Sequence, residues 1–488
     1  MTEDGNTVPA LVGLAAETRW MDATDQANLV RSGEVSAAEL LEAAIERIAA
    51  LNPTINAVVM EWFDHARSSV AAGLPHGPLT GVPFLLKDFG APYAGQTESN
   101  GNIRLKELAI ESPIDSTFVA RLRAAGLVTV GRTNTPEFAG LPTTEPKAWG
   151  RTRNPWLLSH STGGSSGGAT AAVAAGMLPI AQASDGSGSI RIPAALCGVV
   201  GLKPSRGRIS AGPLADESGP AVYLGVSRTV RDTAALLDAV RGPGVGDLVV
   251  APPPPRPYVD GLDADARPFR IGVLDRASSG VTVHPEIVAA VEDTARLLES
   301  LGHHVELSYP KALEQTATDG GSPVGIAATS LMLYSFAGLA RSLGRELGPA
   351  DMEPLSWARY QYLRKLSAAE YLQALGAASR FRRDVLQWWA DGFDLLLTPT
   401  TAVSAAPLGT FDDKSEEVLA PLGNPYIAFT RPFNITGQPA ISLPAGRTVE
   451  GLPIGVQLVA DYGREDVLLA VAAQLEQARP WKDATPAL

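Results

Sequence analysis

Three short stretches of this chain carry residue types that could perform acyl transfer. The first is Lys87, which ends the run Val82-Pro83-Phe84-Leu85-Leu86-Lys87. Desolvation penalises a charged amine, so a lysine held among apolar side chains loses its proton readily and can serve as a general base near pH 7. The plain alternative is a strand-end lysine that reaches water or pairs with its neighbour Asp88. The second stretch is Gly163-Gly164-Ser165-Ser166-Gly167-Gly168. Glycines there allow a sharp turn and close approach of backbone to a ligand. The third is Ser184-Asp185-Gly186-Ser187-Gly188-Ser189-Ile190-Arg191. Consecutive small residues can aim backbone N–H groups at one point and stabilise an oxyanion beside a serine nucleophile. Asp185 and Arg191 flank that serine at a spacing that allows an ion pair across the turn, as an ordinary surface loop would also allow.

Several known chemistries are excluded by what surrounds these residues. The Gly/Ser run lacks the Gly-Lys-Ser/Thr that completes a phosphate-binding loop. It does satisfy Gly-x-Ser-x-Gly, but a nucleophile elbow needs an acid and then a histidine farther along. Downstream lie only His284, His303 and His304, and no histidine follows them. Ser308-Tyr309-Pro310-Lys311 matches Ser-x-x-Lys, yet Pro310 disfavours the helical turn that would bring the two together. With no eligible histidine, Lys87 is the base the sequence offers.

The elements that must hold these residues alternate between helix and strand. Ser36-Ala37-Ala38-Glu39 reads as a capping box opening a helix that stops at Asn52-Pro53. The spacing predicts helices over 116–125, 169–175 and 285–301. Short apolar runs at 80–88, 127–131, 270–274, 304–307, 393–400 and 454–459 suit strands covered on both faces. That alternation argues an α/β fold: one large α/β/α domain spanning 1–488, with a central mixed, mostly parallel twisted sheet flanked by helices. Residues 251–257, with five prolines, read as a stiff spacer. Residues from about 324 to 390 read as mostly helical.

Composition narrows the partners. Hydrophobic residues make up 45% of the 488, which supports a large core and excludes a disordered chain. A net charge of −12 with no basic run argues against nucleic acid or an anionic membrane as partner. One cysteine, Cys197, forms no internal disulfide, and no CxxC or His-rich tract points to a metal. The first residues lack a secretory pattern, and the least polar stretch, 169–183, is interrupted by Pro179. The expectation is a cytoplasmic protein, monomeric or homodimeric, that needs no metal or organic cofactor.

Together and in this order, the three stretches resemble the amidase signature family of Ser–Ser–Lys amide hydrolases. The likeness continues through Ile192-Pro193-Ala194, Cys197-Gly198-Val199-Val200-Gly201-Leu202-Lys203-Pro204-Ser205, Gly131-Arg132-Thr133-Asn134-Thr135-Pro136-Glu137, Phe433-Asn434-Ile435-Thr436-Gly437-Gln438-Pro439-Ala440 and Leu452 to Leu458. It runs from about 25 to 481, with the signature core at about 80–210 and the weakest match at about 245–390. The resemblance implies Ser189 as nucleophile, Ser165 as a bridging serine on a cis peptide bond after Gly164, and Lys87 as base. It also implies an oxyanion hole from the N–H groups of Gly186, Ser187, Gly188 and Ser189, with Asp185, Arg191 and Ser166 as supports. The family commonly has two glycines before the nucleophile, whereas Ser187-Gly188 stand here.

Within the family the chain is similar to the branch of 6-aminohexanoate cyclic dimer hydrolases, aryl amidases and urethanases. The implied reaction is cleavage of the C–N bond of a small or hydrophobic amide or carbamate through an acyl-serine. An amidase subunit of a tRNA-dependent amidotransferase and a non-catalytic binding member of the family are the alternatives. The pocket is expected from the divergent region and the neighbourhood of Tyr426 and Phe429. Tyr334, Phe336, Trp357, Tyr360 and Tyr362 read first as helix core and second as pocket wall.

Overall fold

The computed structural model describes residues 9–213, 219–262, 267–277, 280–315, 321–412 and 414–488. Its strands are β1 (Val58–Glu61), β2 (Pro83–Lys87), β3 (Val128–Thr133), β4 (Arg153–Asn154), β5 (Leu157–Ser161), β6 (Ile180–Asp185), β7 (Val200–Lys203), β8 (Val222–Ser227), β9 (Arg270–Val273), β10 (His304–Leu307), β11 (Leu395–Pro399), β12 (Ala440–Arg447) and β13 (Pro453–Ala460). Eleven of them form one sheet in the order β1-β3-β2-β6-β8-β7-β12-β13-β11-β9-β10, and β4 and β5 form a separate hairpin. β2, β3, β6, β7 and β11 are buried along their whole length; β2 and β11 accordingly read as short apolar runs, whereas β6, with Gln182, Ser184 and Asp185, carried no such signal.

The mixed α/β architecture is as expected, but the sheet is not mostly parallel. Among the described residues, parallel pairing joins β3–β2, β2–β6, β11–β9 and β9–β10. The other six neighbouring pairs are antiparallel. The physical reason lies at β8. β6 and β7 are joined through a helix, Arg191–Cys197, as in a parallel unit, but β8 inserts between them and runs antiparallel to both. The hairpin β12–β13 adds further antiparallel pairs.

The helix Gly167–Ala174 is buried at every residue, so it carries no polar stripe and is built of Gly, Ala, Thr and Val. The capping box at Ser36 and Glu39 is present and opens the helix Ala37–Ile55. The proline-rich stretch is no free spacer at its ends: Ala251 N–H donates to Gly207 O, and Tyr258 is buried.

The region after 321 is helical as expected, with Pro323–Thr329, Met332–Leu343, Pro354–Leu363 and Ala368–Ala390. By composition, Pro323–Leu343 is long and apolar enough to cross a membrane. It is two helices, however, and Val324, Phe336 and Leu339 on them are buried in the protein. Phe336, Leu339, Leu347, Met352 and Leu363 pack with Phe138 into a small core of their own. The main core runs from Ala23 to Leu475 around the sheet.

Candidate active site

Lys87 is the last residue of β2, and the strand ends where its amine meets the Gly/Ser turn. Its backbone N–H donates to Gln182 Oε1 at 2.7 Å, which ties β2 to β6. The side chain is wholly buried; Nζ lies 2.7 Å from Ser165 Oγ and 3.0 Å from Ser184 Oγ. Burial lowers its pKa to about 7, and the nearby Asp185 carboxylate only partly offsets that loss. The amine is therefore uncharged above neutrality.

Pairing with Asp88, the plain alternative, does not occur. Successive residues leave a strand on opposite faces, and the Asp88 carboxylate receives the N–H groups of Ser99 (2.7 Å) and Gly101 (3.3 Å) and the Ser99 hydroxyl. Burial raises its pKa to about 6, against the pull of Arg132.

The Gly164–Ser165 peptide bond is cis. A side chain at Gly164 would run into the Thr143 backbone, so the close approach excludes any other residue there. Ser166 fixes the next step. Its hydroxyl donates to Ser184 O at 3.2 Å, and its backbone N–H donates to Ser189 O at 3.2 Å. These bonds hold the serine turn, the end of β6 and the Ser189 turn in one block. Ser189 is half-buried, and among the described residues its hydroxyl has no hydrogen-bond partner.

Asp185 and Arg191 are both buried and form an ion pair with two contacts of 2.9 Å. Burial pushes the Asp185 carboxyl upward, but Arg191 overcomes this and holds it well below the usual carboxylate range. The carboxylate also organises the loop between them. It receives the N–H groups of Gly188 (2.7 Å) and Ile190 (3.1 Å).

That contact corrects one expectation. The Gly188 N–H is committed to Asp185 and does not face a substrate oxyanion. The N–H groups of Gly186, Ser187 and Ser189 make no protein hydrogen bond among the described residues. These three residues are only partly buried, so their donors stand open on one turn beside a serine, where they could receive an anion.

Sequence reading missed four supports. Ser184 lies in the quoted run but was assigned no role; its hydroxyl is the second contact of the Lys87 amine. Asn434 donates to Asp185 O and Oδ1 and accepts from Arg191 Nη2 at 2.6 Å. Gln457 accepts from Arg191 Nη1 at 2.7 Å. Thr430 donates to Ser187 O at 2.7 Å. Asn434 and Gln457 sit in segments that carried the family likeness, which was the only signal for them.

Ser184 gives a first prediction. Its oxygen takes an N–H from the Lys87 amine and so turns the lone pair toward Ser165. Ser184→Ala removes one hydrogen bond and is expected to lower kcat/KM about tenfold, the scale of one such bond. Its loss also disfavours the ammonium form, so the pH inflection of kcat/KM should move to lower pH. An unchanged rate with an unchanged inflection would refute this role.

Beside the site lies a cavity of about 630 Å³. Ala221 and Tyr223 on its inner side link it to the chemistry: Tyr223 pairs with Ser184 across β8 and β6, and a methyl group on Gly186 would sit 3.9 Å from Ala221 Cβ. Its outer wall comes from the helical region, with Leu331, Tyr334, Leu366 and Tyr371. None of the described residues lining it carries a charge. Of the five aromatic residues weighed, Tyr334 lines this cavity, whereas Phe336, Trp357 and Tyr360 belong to the small helical core. Tyr362 is exposed. Tyr426 and Phe429 are buried in other clusters and do not line the cavity.

A buried amine within hydrogen-bond reach of a serine on a cis turn, next to a second serine on a donor-rich loop, is the arrangement of a serine amide hydrolase without histidine. A model of the family described as Amidase matches residues 39–469, and the chain belongs to that family. It is a hydrolase of carbon–nitrogen bonds other than peptide bonds. The chain is 44% identical to the 6-aminohexanoate-cyclic-dimer hydrolase of Paenarthrobacter ureafaciens over 96% of this chain and 97% of that one. It is 35% identical to an acylamidase of Rhodococcus erythropolis, again over 96% and 97% of the two chains. Among solved structures, a 6-aminohexanoate cyclic dimer hydrolase complexed with substrate superposes with a TM-score of 0.91 at 42% identity, covering 96% of this chain and 99% of that one.

Proposed function

We propose that this enzyme hydrolyses uncharged, largely apolar amides, of the cyclic oligoamide or aryl amide kind, through an acyl intermediate on Ser189. The observation that carries the reading is the buried Lys87 amine, 2.7 Å from Ser165, with a cavity beside the site whose described lining residues carry no charge. A carboxylate or ammonium on the substrate would find no charged partner among the described lining residues, which favours neutral amides. The named relatives, a cyclic amide hydrolase and an acylamidase, support the same substrate class.

The Lys87–Ser165 contact supplies the first proton transfer, and the transfer from Ser189 to Ser165 is the step this reading adds. The neutral Lys87 amine accepts the proton of Ser165, which in turn accepts that of Ser189. Ser189 Oγ bonds to the carbonyl carbon, and the negative oxygen is received by the N–H groups of Gly186, Ser187 and Ser189. Collapse breaks the C–N bond, and the proton returns from the Lys87 ammonium through Ser165 to the leaving amine. Water then attacks the acyl-serine through the same relay and releases the acid. A carbamate cleaved at its C–N bond would follow the same path through an alkoxycarbonyl-serine, which water releases as a carbonic half-ester that loses carbon dioxide to give the alcohol.

The test is a matched pair of substrates. A neutral cyclic or capped diamide is expected to exceed its linear zwitterionic counterpart in kcat/KM by at least about 100-fold, as an unpaired buried charge requires. Anilides and aryl carbamates should also turn over. Equal rates on the neutral and zwitterionic members would overturn the substrate assignment, and no turnover of any amide would overturn the function.

A further inference from the structure

One peptide unit of the oxyanion loop is held at both of its polar ends. The carbonyl of Ser187 accepts the Thr430 hydroxyl at 2.7 Å, and the N–H on the other side of the same unit, that of Gly188, donates to Asp185 Oδ1 at 2.7 Å. The two partners come from opposite sides of the loop, because C=O and N–H of a trans peptide point in opposite directions. The unit cannot rotate without breaking one bond or the other. Rotation would carry with it the N–H groups of Ser187 and Ser189 on either side, which are the free donors.

Thr430 is itself well fixed. It is buried, its N–H donates to Ile427 O at 3.2 Å, and the preceding carbonyl, Phe429 O, accepts Gln457 Nε2 at 2.9 Å. Gln457 in turn holds Arg191, the partner of Asp185. Both clamps on the peptide unit therefore rest on one network. Gly188 completes the fit. Its φ is +127°, and a side chain there would occupy the space of the Thr430 hydroxyl and the Ile192 δ-methyl. Glycine at 188 and a hydroxyl at 430 are parts of the same contact.

We propose that Thr430 is a positioning residue for amide hydrolysis: its hydroxyl sets the orientation of the Ser187–Gly188 peptide and thereby aims the oxyanion donors. This rests on the reading of Ser189 as nucleophile given above. Thr430 is wholly buried behind the loop, its hydroxyl spent on backbone oxygens, so its effect falls on the transition state and not on substrate affinity. Ser187 is the residue at which this chain departs from a double glycine.

The experiment compares T430V, T430A and T430S with the wild type on a chromogenic anilide. Loss of a directly acting oxyanion donor costs roughly 100- to 1,000-fold in kcat, so loss of the group that aims the donors is expected to cost about 10- to 100-fold. KM should stay within about twofold for T430V and T430A, as for an interaction made only in the transition state. T430S keeps the hydroxyl and should recover to within about threefold of wild type. The second readout is a trifluoromethyl ketone of the acyl group, which forms a tetrahedral oxyanion on the nucleophile. Its inhibition constant should rise by the same factor as kcat/KM falls.

Two results overturn the proposal: wild-type kcat per folded molecule in T430V or T430A, or equal loss in T430S and T430V, which marks a packing role. The underlying reading is tested apart from it by S189A. If S189A retains turnover, the nucleophile assignment fails whatever Thr430 does. If S189A is dead while T430V is unaffected, only the positioning role fails.

Discussion

Ser189→Ala is expected to reduce kcat on an anilide by about a million-fold, the scale seen when the nucleophile of a serine hydrolase is removed. Ser189 is half-buried, its hydroxyl has no partner among the described residues, and its backbone is placed by the bond from Ser166 N–H to Ser189 O, so loss of the hydroxyl breaks no described contact. The folded state and the melting temperature should therefore be unchanged. In the wild type, acid-quenching during turnover of a slow anilide and digesting the protein should place the acyl mass on the peptide containing Ser189. An adduct on Ser165 instead, or turnover above about 1% in the alanine variant, would reverse the roles of the two serines.

Lys87→Ala carries the second largest effect, a fall of about 1,000- to 10,000-fold in kcat, near the upper range for a general base. The pH dependence gives the sharper signature. Lys87 has a folded pKa of about 7, lowered from 10.5, and only the neutral amine accepts a proton. Below pH 7 the active fraction falls tenfold per unit; above it the rate levels off, with no further rise toward the ordinary lysine range. The alanine variant should lose the inflection altogether. A histidine could titrate in the same range, but none of the described histidines is bonded to Ser165, Ser184 or Ser189; His65 meets Tyr93 and His303 meets Gln474. An inflection that persists in Lys87→Ala would assign the base elsewhere.

The parts of the site that were legible in the sequence are those set by neighbours along the chain. Lys87 stood out because five apolar residues precede it, and that local burial is what lowers its pKa. The Asp185–Arg191 pair was legible because six residues of a tight turn bring its ends together. Thr430 and Ser187 meet across 243 residues of chain, and Gln457 and Arg191 across 266, so no spacing announces them. The free and committed amides of the loop were equally invisible. Which N–H faces Asp185 depends on the left-handed turn at Gly188, a matter of backbone angle and not of residue type.

The same distinction explains the sheet. Six of the eleven sheet strands were legible from apolar runs, a signal that parallel and antiparallel neighbours share in a sheet covered by helices; β10, expected to be covered on both faces, is an edge strand and mostly exposed. Direction was not legible, because β8 returns from beyond the signature core to lie between two strands that precede it in the chain. Tyr334 and Phe336 show the limit at the cavity. They lie two residues apart on one helix, and one faces the cavity while the other sits in the helical core. Composition alone does not separate them.

The cavity's outer wall and the reactive groups have different foundations. Lys87, the serine turn and the Asp185 loop are set by the sheet, whereas Tyr334 stands on the helix Met332–Leu343 and Leu366 packs against the same small core around Phe336; Tyr371 rises from Ala368–Ala390, whose buried side chains pack with Leu396 and Val459 of the sheet. A lineage carrying this architecture can alter its diet by redrawing one partition while its reagent chamber stays untouched.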